Sequence, residues 1–187
     1  FVSVKVDGHL ASSDGRGAMV VLPVGSTLPT DPSKIEITLV PGATAGELTT
    51  SDGGATWTFD CTAEDGITKG NCQILVSVAK TQDEADMSDV MAATSTIFNE
   101  LTIMKDSPDL HGVTKKDDLE AWIDECIAGL DLPEGVTIER EVVQFVPAVN
   151  GTASRPQGVN GYYKYSIVVS KDHSFSEVEG ESGENPA

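Results

Sequence analysis

The hydrophobic period changes once along this chain, near residue 81. Before that point the apolar residues alternate or form short runs, at 1–6, 18–24, 35–40, 57–61 and 74–78. A period of two sends successive side chains to opposite faces of a strand. Between the runs sit Asp7-Gly8, Ser13-Asp14-Gly15, Pro29-Thr30-Asp31-Pro32, Pro41-Gly42, Ser51-Asp52-Gly53-Gly54 and Glu64-Asp65-Gly66. Glycine reaches positive φ at no steric cost and proline presets φ, so each cluster is a turn with a mechanism. Short strands punctuated in this way predict an all-β sandwich over residues 1–80.

From Thr81 onward the spacing becomes helical. Met87, Val90, Met91, Thr94, Ile97, Leu101 and Met104 recur at intervals of three and four, the stripe of an amphipathic helix. A second stripe runs through Leu119, Trp122, Ile123, Cys126, Ile127 and Leu130, with Thr114 and Asp117 as a capping pair and Pro133 and Gly135 as its stop. After Gly135 the period returns to two over residues 136–146 and 162–169, with a Gly/Asn/Pro-rich stretch at 150–161 between them. Two helices and a hairpin each bury one face only by packing together, so residues 81–178 are expected to form an α+β unit of two helices on a hairpin or small antiparallel sheet. Residues 179–187 show no period and are expected to be an acidic linker or disordered tail.

Charge divides at the same boundary. The chain of 187 residues carries 30 acidic and 12 basic side chains, a formal net of −18. Residues 1–80 hold nine acids and five bases, a net of −4, which leaves −14 for the remainder. Such acidity opposes binding to nucleic acid, which needs a basic stripe, and to an anionic membrane surface. No apolar stretch reaches the ~18–20 residues of a membrane span, so no membrane insertion is expected. No charged n-region with an apolar core opens the chain. A start at Phe1 without Met suggests a processed or excised piece of something longer.

Little in the sequence points to catalysis. His9, His111 and His173 stand in polar turn or loop contexts, and no nucleophile elbow, P-loop, dinucleotide fingerprint or zinc-protease motif occurs. The expectation is therefore a non-enzyme with no catalytic, cofactor or metal residues. Thirty acids always offer carboxylate pairs, but none is singled out. Structural calcium on a loop such as Ser12-Ser13-Asp14-Gly15 is a minor alternative to a plain turn. Cys61 and Cys72 flank the turn at Asp65-Gly66, so a disulfide between them depends on the hairpin register. Cys126 lies on the apolar stripe of the second helix and reads as a small buried hydrophobe. Tyr162 and Tyr163 are the candidate glycan contacts, with core packing as the competing role, and Tyr162 faces away from Tyr163 and Tyr165.

Thr50-Ser51-Asp52-Gly53-Gly54-Ala55-Thr56-Trp57 fits the Asp-box pattern of β-propeller glycosidases such as sialidases. In that motif the Asp and Gly shape a hairpin turn and the Trp packs inward. One copy in 187 residues is too little for a propeller, so the motif is read as a structural turn.

Two further sets of residues carry a family likeness. Leu22-Pro23-Val24-Gly25-Ser26-Thr27-Leu28, Pro41-Gly42-Ala43, and the series from Trp57-Thr58-Phe59-Asp60-Cys61 through Thr62-Ala63-Glu64-Asp65-Gly66-Ile67-Thr68-Lys69 resemble cadherin-like or immunoglobulin-like repeats. Those repeats come from large surface proteins of Gram-positive, often gut-dwelling bacteria. Cys61 and Cys72 depart from the valine and aromatic residues usual there. Gly135-Val136-Thr137, Ala148-Val149-Asn150-Gly151-Thr152-Ala153, Pro156-Gln157-Gly158 and Asn160-Gly161-Tyr162-Tyr163-Lys164-Tyr165 resemble a second, α+β repeat of such proteins.

The resemblance implies an immunoglobulin-like sandwich followed by an α+β module, within a secreted or wall-associated parent. Its implied role is that of a spacer or adhesive surface. The partners would be neighbouring domains of the parent chain and host or wall glycans or proteins. An accessory carbohydrate-binding module of an extracellular glycosidase is the alternative reading.

Overall fold

A computed structural model describes residues 1–103, 115–147 and 161–182. Met104, His111, Thr114 and the turn at 148–160 lie outside the described residues. The chain is mostly β, with several sheets and two helices. It divides into two compact units that interleave in sequence. The first comprises Phe1–Thr96, Leu132–Val136 and Ser170–Ser176, and the second Ile97–Asp131, Thr137–Val169 and Glu177–Ala187.

The first unit opens with β1 (Ser3–Val6), β2 (His9–Leu10), β3 (Ser12–Ser13) and β4 (Gly17–Leu22). A single 3-10 turn at Pro32–Lys34 leads into β5 (Ile35–Thr38). The short β6 (Thr44–Ala45) and β7 (Thr49–Thr50) precede the long pair β8 (Thr56–Thr62) and β9 (Lys69–Val78). One sheet has the order β2-β1-β5, and the other β3-β4-β9-β8-β6 with β7 also paired to β8. His9 therefore belongs to a short strand, paired with Val6, and not to a loop.

Alternation built this core. Val4 and Val6 from the first sheet meet Ala18, Val20, Leu22, Trp57, Phe59, Ile74 and Val76 from the second in one buried cluster. Each fully buried aliphatic or aromatic side chain there contributes about 1.5–3 kcal/mol relative to exposure. The neighbours β8 and β9 are antiparallel, whereas β4 and β9 run parallel over six registered pairs, from Gly17↔Gln73 to Leu22↔Val78.

Helix α1 (Gln82–Ile103) starts where the sequence period changes. The division between compact units falls fifteen residues into it, between Thr96 and Ile97. Two serines tie the first part of α1 to strands of the first unit. Ser88 Oγ accepts the Val21 N–H at 3.0 Å and Ser95 Oγ accepts the Ser13 N–H at 3.2 Å. Spaced seven apart on the helix, they satisfy one backbone donor on β4 and one on the short β3. Val90, Ile97 and Leu101 of the expected stripe are buried, and Thr94 nearly so. Met87 and Met91 are 40% and 42% exposed, because the small residues Ala85, Ala92 and Ala93 occupy the packed face instead.

Also within the first unit, Lys171 reaches Asp89 at 2.7 Å and the buried Asp86 at 3.6 Å. The hydrogen bond to Asp89 raises the Lys171 pKa.

The second unit contains the end of α1, α2 (Lys116–Ala128) and most of a sheet ordered β10-β11-β12. These strands are β10 (Thr137–Val146), β11 (Tyr162–Lys171) and β12 (Ser174–Ser182). Leu119, Ile123 and Cys126 are buried on α2, and Trp122 is half-buried. Arg140 of β10 grips α2: its Nε and Nη2 each donate to Asp124 at 2.8 Å and its Nη1 to Glu120 at 2.7 Å.

One expectation is corrected here. The segment from 179 is not a linker throughout, because β12 continues to Ser182 as a third strand. Its composition hid it: Glu177, Glu179 and Glu181 are the exposed alternates, and of the inward positions Val178 is buried while Gly180 faces the Tyr165 ring.

Candidate functional site

The Asp-box-like segment is a closed set of local hydrogen bonds. It closes the β7–β8 hairpin, with Thr50 paired to Trp57. Asp52 Oδ1 accepts the Thr56 N–H at 2.8 Å and the Thr50 hydroxyl at 3.1 Å. The Gly54 N–H donates to Thr50 Oγ1 at 3.0 Å, and the Trp57 indole N–H donates to the Gly54 carbonyl at 3.1 Å. Trp57 is 1% exposed, and its one polar atom is satisfied locally. The Thr56 N–H is the main cause holding the Asp52 carboxyl below its ordinary pKa.

The other acidic turns follow the same chemistry. Asp65 Oδ1 accepts the N–H groups of Ile67 and Thr68 at 2.8 and 2.7 Å, and the Thr68 hydroxyl donates to Oδ2. The Thr68 hydroxyl is the leading cause of the lowered Asp65 pKa. Asp14 accepts from the N–H groups of Arg16 and Gly17, and Asp31 from that of Ser33. Each carboxylate acts as an Asx turn, replacing a backbone acceptor. Among the described residues, no group of three or more His, Cys, Asp or Glu side chains could hold a metal ion.

The Asp65 turn sets the register of the two cysteines. Cys61 pairs with Gly70 and Cys72 with Phe59, so the cysteines are diagonal neighbours on one face of the hairpin. Their sulfurs lie 3.1 Å apart, with the Cys72 thiol donating to Cys61. Cys72 is buried while Cys61 is half-exposed, and both carry free thiols here. Burial, with the Cys61 sulfur second, pushes the Cys72 thiol up to about 11. Cys126 is buried on α2, which also raises its pKa.

Tyr162 and Tyr163 point to opposite faces of β11 and form no common platform. Tyr162 is buried, and its hydroxyl donates to Glu181 at 2.9 Å. Tyr163 stacks on Tyr165, with ring centroids 6.1 Å apart at 17°.

One feature escaped the sequence. Within the first unit, Met19, Val21, Val78, Met87, Ser88 and Met91 line an open groove of about 500 Å³ between α1 and the outer face of β4. Its rim carries Lys80 and Glu84. The signal was present in parity: Met19 stands on the outward side of β4, and Met87 and Met91 are one helical turn apart. Thioether side chains give this groove a soft, adaptable apolar surface.

No family model, curated protein or solved structure matches the chain. Among the described residues, no helix is long and apolar enough to cross a membrane.

Proposed function

We propose that the chain is a non-catalytic pair of structural modules from a secreted or wall-associated bacterial surface protein. An immunoglobulin-like sandwich comes first and an α+β module second. The pair extends the parent chain, presents its neighbouring domains and offers a surface for host or wall glycans or proteins.

The observation that carries this reading is the parallel pairing of β4 with β9. A load applied along the chain draws β4 toward its N-terminal end and β9 toward its C-terminal end. For parallel strands these directions are opposed along the strand axis, so all rungs of the ladder share the load in shear. An antiparallel hairpin pulled at its two ends would instead unzip one rung at a time. The ladder is bracketed by the Gln73 N–H to the Arg16 carbonyl at 3.1 Å and the Ala79 N–H to the Leu22 carbonyl at 2.8 Å. The acidic motifs support the same reading, since Asp14, Asp31, Asp52 and Asp65 all serve to close turns.

Single-molecule stretching of the full chain, inserted between reference domains of known unfolding force, tests this. Residues 1–80 are expected to give one abrupt high-force event with the length gain of the whole sandwich. Extension at low force in many small steps would overturn the spacer reading, as would turnover of glycosidic or ester substrates by the purified chain.

A further inference from the structure

We infer that Cys61 and Cys72 are a cross-linking pair, oxidised by thiol–disulfide exchange with an external disulfide to lock β8 to β9. The inference rests on the geometry of the hairpin, and on the extracellular reading only for the supply of oxidant.

The register does most of the work. A diagonal pair on one face of a twisted antiparallel ladder is normally too far apart for short side chains, with α-carbons ~7–8 Å apart. Here the two sulfurs are already 3.1 Å apart. A disulfide needs about 2.05 Å, so side-chain rotation has about 1 Å left to close. The turn that imposes this register is held by the Asp65 carboxylate on two backbone N–H groups and by the Ala63 N–H on the Thr68 carbonyl. The sulfurs are thus aligned by four local hydrogen bonds, counting the Thr68 hydroxyl, before any oxidant arrives.

The two thiols have different exposures and therefore different parts to play. Cys61 is half-exposed and Cys72 is buried. The thiolate is the attacking form, and an attacking sulfur must also be reachable. Cys61 loses its proton to solvent and attacks one sulfur of an external disulfide. The S–S bond of that disulfide breaks, one thiolate leaves, and a mixed disulfide remains on Cys61. The Cys72 thiol then passes its proton to a departing thiolate and attacks Cys61 Sγ, expelling the second thiol. In sum two protein thiols are oxidised, and one external disulfide is reduced to two thiols. The high pKa of Cys72 disfavours it as the first attacker and slows the second step, which the 3.1 Å approach of the two sulfurs makes intramolecular.

The cross-link would fall on the strand that carries the parallel ladder. With it closed, β9 cannot slide from β4 without dragging β8, and residues 62–71 cannot extend under load. Full unfolding would then release about 30–35 Å less chain, the extended length of the bridged segment less the ~5.5 Å the disulfide spans.

The experiment treats the purified, reduced full chain with oxidised glutathione, then counts free thiols and maps the linked peptides. Wild type is expected to lose two thiols, with residues 61 and 72 joined and Cys126 still reduced. Cys72→Ser is expected to retain one glutathione on Cys61, and Cys61→Ser to take up none at Cys72. The oxidised chain is expected to unfold with an equilibrium constant up to about a hundredfold smaller.

A stable glutathione adduct on wild-type Cys61, or two thiols still titratable in the treated native chain, would overturn the cross-link. Glutathione on Cys72 in the Cys61→Ser chain would overturn the order of attack. A shortened extension with a low unfolding force would uphold the cross-link while rejecting the spacer reading.

Discussion

The α-carbon of Gly54 faces the carbonyl oxygen of Pro29 so closely that a methyl group there would overlap that oxygen. Gly54 also holds φ at +100°, a backbone region that side chains rarely adopt. Its neighbour Gly53 has φ of +75° but faces open space, with room for a methyl group. The two glycines of one turn therefore answer to different constraints.

Gly54→Ala is expected to destabilise the first unit by about 2–4 kcal/mol, since backbone strain and overlap with a peptide oxygen add. Gly53→Ala should cost only about 1 kcal/mol, from φ alone. Urea unfolding followed by Trp57 fluorescence separates them, and equal costs would remove the role assigned to Pro29.

In the second unit, Gly180 lets β12 cross the ring of Tyr165, because a Cβ there would overlap its Cζ and hydroxyl. Tyr165 is buried, and burial pushes its pKa up to about 12. Gly180→Ala is expected to cost roughly 1–3 kcal/mol by overpacking. Adding Tyr165→Leu should recover part of that loss, a coupling that a double-mutant cycle measures. Additive effects would show that the two residues do not meet.

Acid should weaken the β8–β9 turn. The Asp65 pKa is lowered from an ordinary 3.8 by the Thr68 hydroxyl and the N–H groups of Thr68 and Ile67. A carboxyl whose folded pKa lies below its unfolded one contributes stability above the unfolded value, and loses it as pH falls through the folded value. Wild type should therefore exceed Asp65→Asn in stability by a constant margin above pH 3.8, and the margin should shrink progressively below it. A margin that persisted in strong acid would assign the difference to shape and not to charge.

Arg140 should hold α2 to β10 in a salt-dependent way. Its bidentate contact with Asp124 is geometrically favourable, but the Asp124 side chain is 55% exposed and solvent screens it. Arg140→Lys is expected to cost about 0.5–1 kcal/mol at low salt, and less in about 1 M salt, where charges are screened over ~3 Å. Protection of α2 amides from hydrogen exchange is the measurement, and an unchanged exchange pattern would discount the grip.

Much of the β-rich half was legible because its signals are local. Alternation at Val4 and Val6, at Trp57 and Phe59, and at Ile74 and Val76 needs only two or three residues to declare a face. Asp52, Gly54 and Trp57 close their turn within eight residues, and Asp65 within four. The third strand of the second unit's sheet was not legible, because glutamates on the solvent side and a glycine against Tyr165 imitate a linker. The outward face of Met87 and Met91 was equally hidden. A helical stripe shows which residues share a side, but alanines and serines pack as closely as methionines when a strand edge is the neighbour.

The sequence by itself determined the turns, the alternating core faces and the place where strand gives way to helix, since each arises from forces within a few residues. Only the tertiary structure decided that β4 lies parallel to β9, that Ser88 and Ser95 close the edge beside β3, and that Cys61 meets Cys72 on the diagonal. Those outcomes depend on which backbone donors and apolar faces remain unsatisfied after local structure has formed. Distant segments are then chosen by complementarity, which no local period records.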